Sequence, residues 1–247
     1  MTTEIYFIIF LIFIIAGMVK GITGMGLPTV AISLLSLIMP IPLAVALLII
    51  PSFITNVWQM LAGKALLAIF KRFFWMLLCV FICTFISASY LMSAHSVWSS
   101  LFLGSILIIY AIYALFAPSL QISRALESKL SPVIGCITGI ITGATGVAVM
   151  PSAPYFQALN LTKEDLVEAL GLSFTLSTLA LALVLIWQNT FQVEQFTLSS
   201  FAIVPALFGM WFGQKIRLKI SPKRFKQCFL IFLVALGIEL SLRPFIG

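Results

Sequence analysis

Charged residues are scarce in this chain of 247 residues, at 9% of the composition, whereas a soluble domain carries about 25%. Hydrophobic residues make up 62%. Because such a composition cannot cover a globular surface with polar groups, the chain is predicted to be a membrane protein. Seven acidic residues stand against 14 Lys and Arg, a formal net charge of +7. The basic residues lie in short loops between apolar runs, which indicates membrane topology. We therefore expect a lipid bilayer as partner and no nucleic acid.

Metal-ligating residues are also few. His95 is the single histidine, and the four cysteines lie in or beside apolar segments without zinc-ligand spacing or a pairing framework. We expect no metal site, no cofactor and reduced core cysteines. No nucleophile–base constellation is present, so an enzyme is not expected. The apolar first twenty residues lack a basic n-region and an A-x-A cleavage site, and they are interpreted as a mature helix and not a signal peptide.

A glycine triplet occurs twice, each time within a long apolar stretch. Gly17, Gly21 and Gly24 have the spacing G-x3-G-x2-G, and a second triplet repeats it 122 residues further along (139 − 17 = 122). The second triplet consists of Gly139, Gly143 and Gly146. Two matching triplets indicate an internal repeat. Paired glycine-broken apolar segments in two halves are the best sequence indication of a transporter binding site.

Each half is predicted to contain two short apolar segments followed by three long ones. A spanning helix needs about 20 apolar residues. The long segments meet this length, and the short ones fall below it unless each is extended into the glycine region. The predicted division is an N-terminal repeat over 1–118, a cytoplasmic linker over 119–131 and a C-terminal repeat over 132–247. The short pairs are Ile5–Val19 with Pro28–Met39, and Pro132–Ile141 with Val147–Leu159. The long segments are Ala44–Leu61, Phe73–Met92, Val97–Phe116, Leu166–Trp187, Phe196–Gly213 and Phe225–Leu242.

The two halves are predicted to have opposite orientations. Each short pair is either two spans meeting at a break or a re-entrant hairpin, and both options contribute an even number of crossings. Three further spans make the total odd, so the second half is inverted. The loop charges agree with this inversion. The loop Lys64–Arg72 is basic, whereas its counterpart in the second half, 188–195, is not. The next loop, Ser93–Ser96, lacks Lys and Arg, whereas its counterpart Lys215–Lys226 is basic. The basic loops are then cytoplasmic, and both termini lie outside.

The glycine breaks are predicted to line an anion site. Glycine lets the backbone leave the helix and approach a ligand, and a helix that restarts after a break presents free N–H groups. We expect Gly24, Gly26 and Gly146 to line this site. Thr23, Thr142 and Thr145 would add hydroxyl donors. The alternative is that the glycines only permit close helix packing, as in other G-x3-G contacts.

Lys20 is a further candidate because a charge at membrane depth is costly and is functional by default. The expected role is attraction of an anionic substrate, and the alternative is snorkelling to the interface. Its counterpart in the second half is Thr142, which carries no charge.

Other polar residues lie in or near spanning segments. Asn56 and Gln59 share one helix face, and Ser173 belongs to the matching helix. They would contact the substrate or, alternatively, form interhelical hydrogen bonds. Tyr155 and Gln157 follow the second break and could donate to an oxyanion, with an aromatic-belt role as the alternative for Tyr155.

The chain resembles the TauE/SafE sulfite exporter family, also called the toluene sulfonate uptake permease family. The resemblance rests on the two glycine breaks, on Pro51…Thr55-Asn56-x-Trp58-Gln59, and on Met150-Pro-Ser-Ala-Pro-Tyr-Phe-Gln-Ala-Leu-Asn160. It implies a permease of the bacterial inner membrane that moves sulfite, sulfonates or other sulfur-containing anions by alternating access, with proton coupling as one option. A passive anion channel and a non-transporting scaffold protein are the rival interpretations. A homodimer is left open.

Overall fold

The computed structural model describes residues 3–91, 96–116, 121–189, 193–217, 219 and 222–246. These residues form eleven helices and no strands, which confirms the all-helical prediction. Five helical stretches are long and apolar enough to cross a membrane, and two shorter apolar helices accompany them. The helices are α1 (Thr3–Thr23), α2 (Leu27–Leu35), α3 (Ile41–Met60), α4 (Leu66–Leu91), α5 (Ser96–Phe116), α6 (Arg124–Thr145), α7 (Ser152–Gln157), α8 (Lys163–Trp187), α9 (Val193–Phe201), α10 (Ile203–Arg217) and α11 (Pro222–Ile246).

The first member of each predicted short pair is in fact a long helix. Helix α1 has 21 residues and α6 has 22, because each continues through the first two glycines of its triplet. Helix α6 also begins at Arg124, inside the predicted linker. The second members are shorter than predicted, with 9 residues in α2 and 6 in α7. Each half thus contains a long helix, a glycine break and a short helix.

The first two glycines of each triplet lie at helix–helix contacts. A Cβ atom on Gly17 would lie 2.2 Å from the carbonyl oxygen of Ala206 on α10. In the opposite direction, a Cβ on Gly213 of α10 would lie 2.2 Å from the carbonyl oxygen of Met18 on α1. The backbones of α1 and α10 therefore touch, and only glycine fits there. Close packing, the alternative interpretation of the triplets, accounts for these positions.

The second half repeats this arrangement with α6 against α4. A Cβ on Gly143 would lie 2.7 Å from the carbonyl oxygen of Thr84 and 2.5 Å from the amide nitrogen of Ala88. The other large contacts are α5 with α11, α3 with α8 and α4 with α8. Exchanging the halves turns the α1–α10 pair into the α6–α4 pair and leaves the α3–α8 and α5–α11 pairs unchanged.

The third glycine of each triplet ends a helix. Gly24 has φ of 81° and Gly146 has φ of 74°, a left-handed conformation that glycine adopts without steric cost. The threonine before each glycine caps the end in the same way. The hydroxyls of Thr23 and Thr145 donate to the carbonyl four residues earlier, at 2.9 and 2.7 Å. They accept from the amide two residues later, at 3.2 and 3.1 Å.

Candidate functional site

Lys20 lies in the last turn of α1 and is only 2% exposed. It belongs to the helix and not to the break, where the sequence places it. Its ammonium group donates to Thr55 Oγ1 at 3.0 Å and to Asn56 Oδ1, both on α3. No carboxylate in the described part of the chain forms an ion pair with it. Snorkelling, the alternative interpretation, does not fit a side chain buried to this degree.

The Lys20 ammonium is held by neutral oxygen atoms alone. An ammonium has three N–H groups, and two of them are used by Thr55 and Asn56, so one remains for a ligand. The carbonyl end of α1 offers partial negative charge, which favours a cation in the last turn but does not neutralise it. A buried positive charge without a carboxylate partner favours the approach of an anion.

Asn56 connects Lys20 to a cavity. Its side-chain oxygen accepts from the ammonium, and its Nδ2 donates to Ser52 Oγ at 3.1 Å and to Thr178 Oγ1 at 3.4 Å. Asn56 is fully buried, and these contacts fix the orientation of its amide. The amide therefore presents its donor side to α8 and its acceptor side to Lys20.

The cavity lies among α2, α3, α6 and α8, beside the second glycine break. Its free space is of the order of one water molecule, so the helices are closely packed around it. Both polar and apolar residues line it, and the two sets are named here the polar wall and the apolar wall. The polar wall includes Ser52, Asn56, Thr142, Gly146, Ser177 and Thr178. The apolar wall includes Pro28, Val45, Leu48, Ile49, Phe174 and Leu181.

The first glycine break contacts α3 at a different position. Gln59 Nε2 donates to the carbonyl oxygen of Gly24, whereas Gln59 Oε1 is buried with no partner among the described atoms. Gly26 has φ of 98° and precedes the first turn of α2. A Cβ added to it would meet side-chain atoms of Val19 and Phe229 at 3.4 and 3.6 Å. Gln59 therefore joins Gly24 to α3, one turn from Asn56, which binds Lys20, whereas Gly26 packs against Val19 and Phe229.

The predicted hydroxyl donors are engaged within the protein. Thr23 and Thr145 cap the two breaks, and Thr142 donates to the carbonyl oxygen of Thr138 at 2.7 Å. Ser173 is buried on α8, and its Oγ has no partner among the described atoms. Thr142 lines the cavity, whereas Thr23, Thr145 and Ser173 do not.

The structure does not bring Tyr155 and Gln157 to this cavity. The Tyr155 hydroxyl lies 2.7 Å from Ser131 Oγ and donates to the carbonyl oxygen of Glu127 at 3.1 Å. Gln157 is exposed at the end of α7. Helix α7 thus directs Tyr155 toward the first turns of α6, and Gln157 lies on the exposed side. We therefore leave both out of the site.

The family model for the TauE/SafE sulfite exporter matches residues 9–240. The chain belongs to this family. No curated protein and no solved structure matches the chain. Membership implies an exporter-type membrane transporter for sulfite or a related anion, and it agrees with the apolar helices that indicate a multi-pass membrane protein.

In this TauE/SafE protein, two carboxylates connect the region at the start of α4 to α6 and α8. Glu127 on α6 forms a bidentate ion pair with Arg72, at 2.6 and 2.8 Å. Glu168 on α8 is fully buried and accepts from the amide of Ala65 at 3.1 Å. The sequence does hold one relevant signal, since Arg72 and the linker that contains Glu127 are both predicted to be cytoplasmic.

Separating Arg72 from Glu127 is expected to destabilise the TauE/SafE protein. The pair is bidentate but partly exposed, with 34% and 11% of the two side chains accessible, so we expect a coupling energy of about 1–2 kcal/mol. The measurement is a double-mutant cycle of Arg72→Met and Glu127→Gln, with unfolding followed in mixed micelles. Additive effects of the two substitutions would contradict the prediction.

Three further hydroxyl residues belong to the site. Thr55 binds Lys20, and Ser177 and Thr178 line the cavity. The repeat offset relates the last two to α3. Adding 122 to Thr55 and Asn56 gives Ser177 and Thr178, just as it converts Lys20 into Thr142.

Proposed function

We propose that this TauE/SafE protein transports sulfite, sulfonates or related sulfur-containing anions across the bacterial inner membrane by alternating access. The observation that carries the proposal is the buried Lys20 ammonium, whose hydrogen-bond partners among the described residues are the neutral oxygens of Thr55 and Asn56. A buried charge without a counterion costs several kcal/mol, and a bound anion offsets this cost. The energy of the site therefore favours a negatively charged ligand.

The anion is proposed to bind between Lys20 and the polar wall of the cavity. The free N–H of Lys20 would donate to one of its oxygen atoms. The start of α2, after Gly26, adds backbone N–H groups and the positive end of a helix dipole. The present cavity is too small for a sulfite ion, so binding requires the surrounding helices to move apart.

Two features support movement of inverted halves about this site. The helix pairs map onto one another when the halves are exchanged. Contacts at the two ends of α4 also agree with the topology in which the termini are periplasmic. At one end Arg72 binds Glu127 of the predicted cytoplasmic linker. At the other end the carbonyl of Ser89, near the end of the predicted span Phe73–Met92, accepts at 3.0 Å from Gln188, which belongs to a loop predicted to be periplasmic.

Flux measurements in proteoliposomes test the proposal. We expect saturable uptake of labelled sulfite or of an organic sulfonate, accelerated when the same anion is present inside the vesicles. Saturable uptake without this acceleration would indicate a passive channel. Absence of flux for every anion, with no thermal stabilisation of the purified protein by any of them, would favour a scaffold role. Either result contradicts alternating access.

A further inference from the structure

The two halves of the repeat differ at one group of three residues. In the first half, the Lys20 ammonium at the end of α1 binds Thr55 and Asn56. The equivalent positions of the second half are Thr142 at the end of α6, with Ser177 and Thr178 on α8. All three line the cavity. The cavity therefore lies where the repeat would place an ammonium group, and Thr142 is too short to fill it.

The oxygens around this cavity are arranged as acceptors. The hydroxyl proton of Thr142 is directed to the carbonyl of Thr138, and that of Thr178 to the carbonyl of Phe174, each at 2.7 Å. Thr142 Oγ1 therefore keeps its lone pairs for a ligand. Thr178 Oγ1 also accepts from Asn56 Nδ2 at 3.4 Å, so it offers at most one lone pair. Thr55 in the first half has the same hydrogen-bond pattern. Its hydroxyl donates to the carbonyl of Pro51 at 2.7 Å and accepts from Lys20.

One oxygen of the cavity lacks any partner. Ser177 is only 1% exposed, and its Oγ makes no hydrogen bond to a described atom. Its equivalent, Thr55, accepts from the ammonium. Helix α6 has no basic residue in its last turn, whereas α1 has Lys20. The carbonyl end of α6 therefore keeps its partial negative charge, and such broken helix ends hold cations in other transporters.

We propose that this cavity binds a small monovalent cation, with Na⁺ as its occupant. The ligands would be the hydroxyl oxygens of Thr142, Ser177 and Thr178. The free space of about one water molecule suits an ion of this size. No carboxylate lines the cavity, which disfavours a divalent cation. The second half would thus take from solution the positive charge that Lys20 provides in the first half.

The cation would also interact with the transported anion. Two positive charges on either side of Asn56 repel one another, and an anion bound between them relieves this repulsion. This part rests on the proposed function and predicts that sulfite raises the apparent affinity for Na⁺. Binding of Na⁺ itself does not depend on transport and can be measured separately.

The test is thermal denaturation of the purified full-length protein at constant pH and ionic strength. The chlorides of Na⁺, K⁺ and N-methylglucamine are compared, each with and without sulfite. We expect a saturable rise of the melting temperature with Na⁺ alone. Ser177→Ala should weaken the apparent Na⁺ affinity by about tenfold or more, because a ligand oxygen is lost. Without Na⁺ this variant should be as stable as wild type, since it removes an unpaired buried group.

Thr84→Val is the matched control. Thr84 Oγ1 is also buried without a described partner, but it lies at the α4–α6 contact and not in the cavity. This variant should keep the wild-type response to Na⁺. The proposal is overturned if Na⁺ gives no shift with or without sulfite, if K⁺ or acidification gives the same shift, or if Ser177→Ala responds like wild type. Flux of sulfite without any response to Na⁺ would refute the cation site and leave the proposed function intact.

Discussion

Lys20→Met is expected to reduce anion uptake by about 100-fold while the protein still folds. A charge-assisted hydrogen bond contributes about 1.5–3 kcal/mol to binding, which corresponds to up to roughly 100-fold in affinity. Methionine has a similar volume and removes a buried charge that no carboxylate neutralises in the described structure. The fold should therefore tolerate the change. Initial uptake rates in proteoliposomes, corrected for the amount of folded protein, provide the measurement.

Two further variants make this result specific to Lys20. Lys64→Met removes the same charge from an exposed loop and should leave uptake unchanged. Lys20→Arg keeps the charge but replaces a compact ammonium with a planar fork that does not match the two acceptors of Lys20. It should recover only part of the activity. Uptake by Lys20→Met at the wild-type rate would remove Lys20 from the site.

The sequence indicates the polar residues of the site but not their contacts. Lys20 and Asn56 can be selected because polar groups at membrane depth are costly. Their hydrogen bond joins α1 to α3, and no local pattern records this pairing. For Tyr155 the sequence indicates a position but not the direction of the side chain. It follows a break in sequence, but the short helix α7 directs its hydroxyl to Ser131.

Hydropathy does not predict where α6 begins, because the first turns of this helix carry charged residues. The segment around Glu127 looks like a linker because it is charged, yet it forms the first turns of α6. Its carboxylate is held by Arg72, a tertiary contact that hydropathy does not reveal. The offset of 122 residues between the glycine triplets predicts helix bounds better than hydropathy does. The same offset relates the ends of α1 and α6 as well as the starts of α3 and α8.

The glycine triplets show most clearly what spacing leaves open. Each triplet combines two functions, since its first two members form helix contacts and its third ends a helix. Sequence spacing cannot separate these functions, because the backbone that Gly17 touches belongs to α10, far along the chain. Substitutions can separate these functions. A side chain at a contact glycine would clash with the neighbouring helix, whereas a side chain at a break glycine would strain the left-handed backbone.

Gly17→Ala is therefore expected to destabilise the protein much more than Gly24→Ala. The new Cβ at Gly17 would lie 2.2 Å from a backbone oxygen of α10, so the helices must separate, at a cost of about 3 kcal/mol. At Gly24 a Cβ would meet no described atom within 4 Å, and only the left-handed backbone resists alanine. That resistance costs about 1–2 kcal/mol. Unfolding by sodium dodecyl sulfate in mixed micelles compares the two.

The second half provides an independent replicate of this prediction. Gly143 contacts the backbone of α4 as Gly17 contacts that of α10, so Gly143→Ala should match the larger effect. Asparagine tolerates the left-handed conformation better than alanine, so Gly24→Asn should be less harmful than Gly24→Ala. If Gly24→Ala proved as damaging as Gly17→Ala, the break would depend on close contacts that the structure does not contain. The distinction between contact glycines and break glycines would then be wrong.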